Sequence, residues 1–431
     1  MRIRNGASAS EALSSQKAAD ATNSSVEHAI LTKIPVMDLP MGSHNSLEIV
    51  QVVQEFSRDG GVENVAFELT KAFTRAGARN SVVAAVVADD GDAPSEIEQI
   101  TPWLSHVPTR GAMRHIGRLV VMPIFTLAAT LALRRRARTA QIISHGDCLR
   151  GDMLVVHAVN AESLLQKRKA GNWGWLINPM HYWVALRDRW MIGGLRYRKY
   201  IAVSARVREE LQLHYNVPAE RIRVIYNGID LDRFQASEEA RAQIRSEFGI
   251  PRDARLLLFV GHEFARKGLA PLIEALALLD DRYWLAVVGS DNPARYRKLA
   301  AQAEGRLVFC GARRDVAAFY AAADAFVLPT AYETFSLVCM EAMAAGLPVF
   351  ATRVGGIEDY LRDGLNGFAI ERNARNITEK LRSAFEDEAG FATLRAGARA
   401  TAESFGWDRV ATKYLELLEE LKKEALAETK R

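Results

Sequence analysis

Twice along this chain an apolar run leads into a glycine-bearing loop and then into apolar residues at helical spacing. The first instance begins with LEIVQVV (47–53), passes through a loop holding Gly60 and Gly61, and continues with Val65, Leu69, Ala72 and Phe73 before Gly77. SVVAAVV (81–87) is the next apolar run. A strand, a helix and a second strand in that order make a crossover, and a crossover returns the chain to the same end of the sheet, so the strands run parallel. The second instance is ARLLLFVGHEFARKGLAPLIEALALL (254–279), continued by YWLAVVGS (283–290), RLVFCG (306–311), AFVLPT (325–330) and LPVFATRVGG (347–356). The spacing therefore predicts an α/β protein with two Rossmann-like, doubly wound domains facing across a cleft. Ligands of such sheets bind beyond the carboxyl ends of the strands.

The chain has 431 residues, and domains of about 150 residues make two or three of them the expectation. Residues 1–44, rich in Ser, Ala and Asn, read as a disordered leader. The expected boundaries are then 45–220 for the first domain, 221–405 for the second and 406–431 for an amphipathic helix with a charged tail. Three widely spaced cysteines, Cys148, Cys310 and Cys339, fit neither a disulfide frame nor a zinc site, and suit a reducing compartment. MRIRNGASAS lacks the apolar core of a signal peptide. LVVMPIFTLAATLAL (119–133), broken by Pro123, reads as too short to span a bilayer. A cytoplasmic protein is expected.

Two stretches carry candidate chemistry. In GHEFARKG (261–268), Gly261 closes a strand, and Arg266 and Lys267 precede a helix. Helix N-termini attract anions through free N–H groups and the macrodipole, and two cations there suit a diphosphate; a solvated basic loop would look the same. In TAYETFSLVCMEAMAAGLPVF (330–350), Glu333 stands just before a short helix starting near Phe335, and Glu341 lies within it. Eight residues are little more than two turns, so both acids fall on one side. Carboxylates accept hydrogen bonds from sugar hydroxyls in fixed directions, and the backbone N–H groups of Thr334, Phe335, Ser336 and Leu337 suit a phosphate or a hydroxyl. An N-cap acid with an exposed acid is the alternative.

The succession YNGIDLDRF, VGHEFARKG, VVGS and FCGARRDVAAFYAAADAFVLPTAYETFSLVCMEAMAAGLPVFATRVGGIEDYLRDGLNGF resembles the retaining glycosyltransferases of family 4 (glycosyl transferases group 1), closely over 222–370 and more loosely over 47–200. The resemblance implies the GT-B fold, with the first domain binding acceptor and the second binding a UDP- or GDP-linked sugar. It implies transfer of a hexose-type sugar to a glycan or lipid-linked acceptor, in cell-surface polysaccharide or lipopolysaccharide synthesis, with neither metal nor cofactor. Residue by residue, Glu341 matches the acid on the donor ribose, Glu333 the acid on the donor sugar, and Lys267 the diphosphate lysine. Arg266 joins it through ARKG, although His262 stands where many members carry arginine. Gly60 and Gly61 match the glycine loop beneath the diphosphate. Members often carry a histidine at a strand end near the reacting sugar. MLVVHA favours His157, with His145 and Asp147 as second choices and a structural histidine as the alternative. Facing carboxylates of the hydrolase type are not evident, which fits a front-face mechanism in which the donor phosphate takes the acceptor's proton. A sugar-nucleotide epimerase of the same fold and a non-catalytic regulatory subunit are the rival readings. A nicotinamide oxidoreductase lacks its G-x-G-x-x-G.

Charge is unevenly placed. No Asp or Glu occurs from Gln99 through Gly146, a window with Arg110, Arg114, Arg118, Arg134, Arg135, Arg136 and Arg138. A second acid-free window, Ser163 to Arg187, holds Trp173, Trp175 and Trp183. Cations interleaved with tryptophan suit peripheral contact with an anionic membrane; basic helices on a sheet's solvent side would read alike. The net charge of +4 and the lack of a nucleic-acid motif argue against nucleic acid.

Overall fold

A computed structural model describes residues 47–429 except 59, 89–95, 108–113, 137–138, 170, 172 and 304. The leader expected over 1–44 lies outside the described residues, as do Arg110 and Arg138. Residues 44–431 form one unit holding two main sheets.

The first sheet contains β1 (Glu48–Val52), β2 (Arg79–Ala84), β3 (Glu96–Gln99), β4 (Gln141–Ser144), β5 (Gly151–Val156), β6 (Tyr197–Ala202) and β7 (Ile222–Val224). Its strand order is β3-β2-β1-β4-β5-β6-β7, all parallel. The second contains β8 (Arg255–Val260), β9 (Tyr283–Val288), β10 (Leu307–Gly311), β11 (Ala325–Leu328), β12 (Val349–Ala351) and β13 (Gly367–Ala369), in the order β10-β9-β8-β11-β12-β13, again parallel. In each sheet the chain runs outward from the first strand, then returns to build on its other side. The order reverses between β1 and β4, and between β8 and β11. Those two switch points are where loops part and leave a crevice at the strand carboxyl ends.

The helices follow the apolar spacing. Helix α1 (Val62–Arg75) buries Val65, Leu69, Ala72 and Phe73 against the first sheet. Gly77 stops it at φ +74, with Ala78 N–H donating to the Phe73 carbonyl, a left-handed cap that glycine adopts without strain. Helix α2 (Arg114–Arg136) corrects one expectation. The apolar run over 119–133 continues into a helix whose Gly117–Arg134 stretch has a mean hydropathy of 1.4, long and apolar enough by composition to cross a membrane. Its Val121, Phe125, Ala129 and Leu133 are nevertheless packed into the first sheet's core. Val120, Ile124, Leu127 and Leu131, one helical stripe round, are exposed. Helices α3 (Asn160–Lys169), α4 (Pro179–Asp188) and α5 (Ala205–Tyr215) complete this half, with α2 packed beside α4.

Beside the second sheet, α6 (Phe264–Lys267) and α7 (Leu269–Leu278) follow β8, and α8 (Leu337–Ala344) follows β11, two residues later than the sequence suggests. The last helix, α9 (Trp407–Thr429), packs back on the first half. The Tyr414 ring meets Phe73 edge-on at 6.2 Å, and Gln141 Nε2 donates to the Leu418 carbonyl at 2.7 Å.

Candidate active site

At the switch point of the second sheet, two loops lean on each other. After β8, Gly261 has φ +155, and any Cβ there would overlap the Lys267 side chain that crosses it. Glycine thus leaves a lane through which the lysine reaches the strand ends. Gly268, at φ +82, closes the single turn of α6 and is pressed on the Pro329 carbonyl of the loop after β11. Ala331 N–H donates to the Arg266 carbonyl at 2.9 Å, fastening the same two loops.

Lys267, only 8% exposed, places Nζ 3.2 Å from Glu333 Oε1. Arg266 Nη1 donates to the Tyr332 carbonyl at 2.6 Å and lies 3.4 Å from the same carboxylate oxygen, while Nε pairs with Glu263 at 2.9 Å. Thr330 Oγ1 also lies 3.4 Å from Oε1. The contacts found at Glu333 all fall on Oε1, so Oε2 is left to accept from a ligand. Glu341, on α8, accepts from the Tyr320 hydroxyl at 2.8 Å through Oε2. Burial pushes the Glu341 carboxyl up, while the Tyr320 hydroxyl, Arg233 and Lys267 pull it back. Lys267 thus acts on both glutamates.

Between the glutamates the backbone N–H groups of Thr334, Phe335, Ser336 and Leu337 make no hydrogen bond within the described residues. Ser336 heads α8 at φ +69, an uncommon conformation for a non-glycine residue. The Phe335 side chain is 1% exposed and stacks in a box with Tyr226, Tyr360 and Phe405, so the residue offers its N–H and not its ring. This is a helix N-terminus with four free donors beside a buried ammonium, which is the chemistry that binds and neutralises phosphate oxygens. His262 is turned away, toward Ser290 Oγ at 2.8 Å.

Sequence reasoning missed Gly355 and Gly356. The loop after β12 lays Gly355 (φ +59) on the Glu333 carbonyl, and Gly356 N–H donates to the Thr334 carbonyl at 3.1 Å. The only signal was a pair of adjacent glycines, in TRVGG.

At the switch point of the first sheet, Gly60 takes φ +108 and Gly61 caps α1 with open space over its Cα. His145 and His157 stand just past β4 and β5, with rings stacked at 5.4 Å. His145 Nδ1 lies 3.1 Å from His157 Nε2, and its Nε2 lies 3.0 Å from Gln51 Oε1. Burial pulls His157 down to about 4 and His145 well below the ordinary histidine range. Asp147 accepts from Gln54 N–H at 2.8 Å and faces Arg187 at 4.0 Å. The second-sheet group is thus brought together at one point, while His157 makes its hydrogen bond within the first sheet. Between the halves lies a cavity of about 850 Å³, with Arg58, Glu68 and Lys71 on one side and Asp230, Asp232 and Arg233 on the other. Tyr332 OH reaches Glu210 of α5 at 3.4 Å across the same divide.

Comparison with known proteins places this geometry. Residues 59–233 match the family model described as Glycosyltransferase Family 4, and residues 240–403 match Glycosyl transferases group 1. A D-inositol 3-phosphate glycosyltransferase of Xylanimonas cellulosilytica is 34% identical over 235 residues, covering 50% of this chain and 55% of the relative. The chain spans about half the length of the curated relatives it matches. Among solved structures, WaaG, a glycosyltransferase involved in lipopolysaccharide biosynthesis, superposes with a TM-score of 0.69 at 24% identity, over 86% of this chain and 99% of WaaG. Sucrose-phosphate synthase from Thermosynechococcus elongatus gives 0.68 at 20% identity, over 88% and 100%. Anabaena HepE in complex with UDP and glucose gives 0.64 at 18% identity, over 86% and 99%. The fold is GT-B.

Proposed function

We propose that this chain, which belongs to the glycosyltransferases of family 4 and group 1, is a retaining, metal-independent enzyme that moves a hexose-type sugar from a nucleoside diphosphate to a glycan or lipid-linked acceptor. The observation that carries the reading is that Lys267 touches Glu333 and acts on Glu341, with the four free N–H groups between the two glutamates. As the glycosidic bond breaks, the nucleoside diphosphate gains negative charge. Lys267 and the N–H groups of 334–337 are already aimed where that charge appears, so they stabilise the transition state more than the ground state. Glu341 suits two ribose hydroxyls, and Glu333, through its free Oε2, suits hydroxyls of the donor sugar. Gly61 leaves open space at the head of α1 for the diphosphate to approach, and Gly60, at φ +108 with the Glu63 carboxylate over its Cα, turns the loop into the helix. His157 stands for the reacting sugar's side of the cleft. The acceptor's proton passes to a donor phosphate oxygen, which is being made more basic by the bond cleavage, and the new glycosidic bond forms on the face the leaving group vacates.

A UDP-linked donor is favoured by the UDP in the HepE structure, with GDP as the alternative. A thermal-shift screen of UDP, GDP and ADP separates them. The cognate nucleotide at 100 times its Kd should add ~2.7 kcal/mol of stability, and no response to any of the three would remove the reading.

For the acceptor, a lipid-linked chain at the cytoplasmic face of a membrane is supported by the surface of the first half. Exposed Val120, Ile124, Leu127 and Leu131 on α2 lie on a helix packed beside α4, in the half that also exposes Trp173, Leu176, Ile177, Tyr182, Leu186 and Trp190. Arg168 lies 5.7 Å over the Trp173 ring and Arg196 lies 4.6 Å over Trp190. Aromatic rings with cations beside them are the composition that settles at a headgroup layer. Vesicles carrying anionic lipid should sediment the protein at low salt and release it at high salt. Leu127→Glu with Ile177→Glu should abolish sedimentation while leaving donor hydrolysis intact. Binding that survives both changes would refute this face as the contact.

A further inference from the structure

Thr70, Gln51, His145 and His157 form one hydrogen-bonded row at the switch point of the first sheet. Gln51 sits in the middle of β1, opposite Val82 on one side and Ile143 on the other, and it and Thr70 are fully buried. The protons along the row follow by counting. Thr70 Oγ1 has one hydrogen and donates it to the Ala66 carbonyl at 2.7 Å. Toward Gln51 it can only accept, so the amide nitrogen of Gln51 faces it, at 2.6 Å. The amide oxygen then faces His145 Nε2, and an oxygen without a proton requires Nε2–H on the ring. Burial keeps His145 neutral, so its Nδ1 is a bare lone pair. His157 must therefore donate to it from Nε2. A neutral His157 is left with an unprotonated Nδ1, which meets no partner among the described residues and is not sealed from solvent.

The row ends in an amide and a hydroxyl, not in a carboxylate. Asp147, two positions after His145, is turned to Gln54 N–H and Arg187, and His145 feels only burial and His157. A carboxylate in the place of Gln51 would fix the same tautomer but would also favour the imidazolium. An amide fixes the tautomer and leaves the ring uncharged.

We propose that Gln51 is a positioning residue for sugar transfer: through His145 it holds His157 in a single tautomer, with Nδ1 presented at the carboxyl edge of the first sheet as an acceptor for a sugar hydroxyl. This rests on the reading that the edge faces the transfer site. An acceptor nitrogen there selects a ligand with a hydroxyl to donate and disfavours a phosphate oxygen, which divides the cleft into a sugar side at His157 and a diphosphate side at Lys267.

Ring ¹⁵N spectra of the full chain read the tautomers without any assay. At neutral pH both His145 and His157 should show a protonated Nε2 and a bare Nδ1. Gln51→Leu should leave His157 in a mixture of tautomers and lower kcat about tenfold, with the donor KM moved less. Gln51→Glu should keep the tautomer and raise the acid limb of the kcat profile by about one pH unit or more. Thermal melts of both variants confirm that they are folded. A wild-type His157 carrying its proton on Nδ1, or a His157 tautomer indifferent to Gln51→Leu, overturns the proposal. Should the tautomers respond to Gln51 while His157→Ala keeps wild-type kcat, the placement of the transfer site at this edge fails, and the positioning role fails with it.

Discussion

Lys267→Met should lower kcat by about 10²–10³ without loss of folding. The lysine is almost enclosed, and its Nζ lies 3.2 Å from Glu333 and acts on Glu341. In so dry a place a fixed charge interacts strongly with charge that develops during bond cleavage. Methionine keeps the unbranched length and the lane over Gly261, so the substitution removes the charge and little else. Part of the loss should appear in the donor KM, since the ground-state diphosphate is already charged, but the larger part belongs to kcat. Arg266→Met makes the contrast. Its guanidinium is engaged by the Tyr332 carbonyl and Glu263, so it holds the loop more than it faces the ligand, and its loss should cost less in kcat. Initial rates of nucleoside diphosphate release, with circular dichroism to verify folding, decide the matter. A Lys267→Met enzyme that keeps most of the wild-type kcat would take the lysine out of the chemistry.

The parts of this site that could be read from the chain are those close together in it. Gly261, Arg266 and Lys267 lie within one loop, and Glu333 and Glu341 are a little over two turns apart, so spacing alone brought each set to one side. The double restart of apolar runs was legible for the same reason, because a crossover helix is a local pattern. What escaped depends on distant contacts. Gln51 drew no reading within its apolar strand, since Thr70, His145 and His157 meet it only after the sheet has assembled. Gly355 and Gly356 read only as the end of the apolar run LPVFATRVGG, because nothing local says that the Glu333–Thr334 backbone will lie on them. Helix α2 was misjudged because its buried stripe, Val121 to Leu133, and its exposed stripe, Val120 to Leu131, are equally apolar, so no periodicity marked where the helix began. Helix α9 was visible as a helix, but its return to α1 is made by single partners such as Tyr414 and Phe73.

Gly355→Ala should abolish most of the activity from a position that carries no chemistry. At φ +59 the new side chain enters a left-handed conformation, which costs an L-residue roughly 1–2 kcal/mol. Strain alone would only lower the melting temperature. The Cβ would, however, overlap the backbone carbonyl of Glu333, and a carbonyl cannot swing aside as a flexible side chain does. The neighbouring Gly356 N–H holds the Thr334 carbonyl, so the two loops can separate only by moving Glu333 and Thr334 together. A displacement of about 1 Å in a reacting geometry is enough to cost ~10²-fold, and that is the fall in kcat expected here. Gly364→Ala supplies the control: its φ is +76 but nothing lies within 4 Å of the added carbon. It should show similar backbone strain, a smaller fall in melting temperature and an unchanged kcat. Should Gly355→Ala behave as Gly364→Ala does, the exact seating of Glu333 would be irrelevant to turnover, and its carboxylate could not be the group that orients the donor sugar.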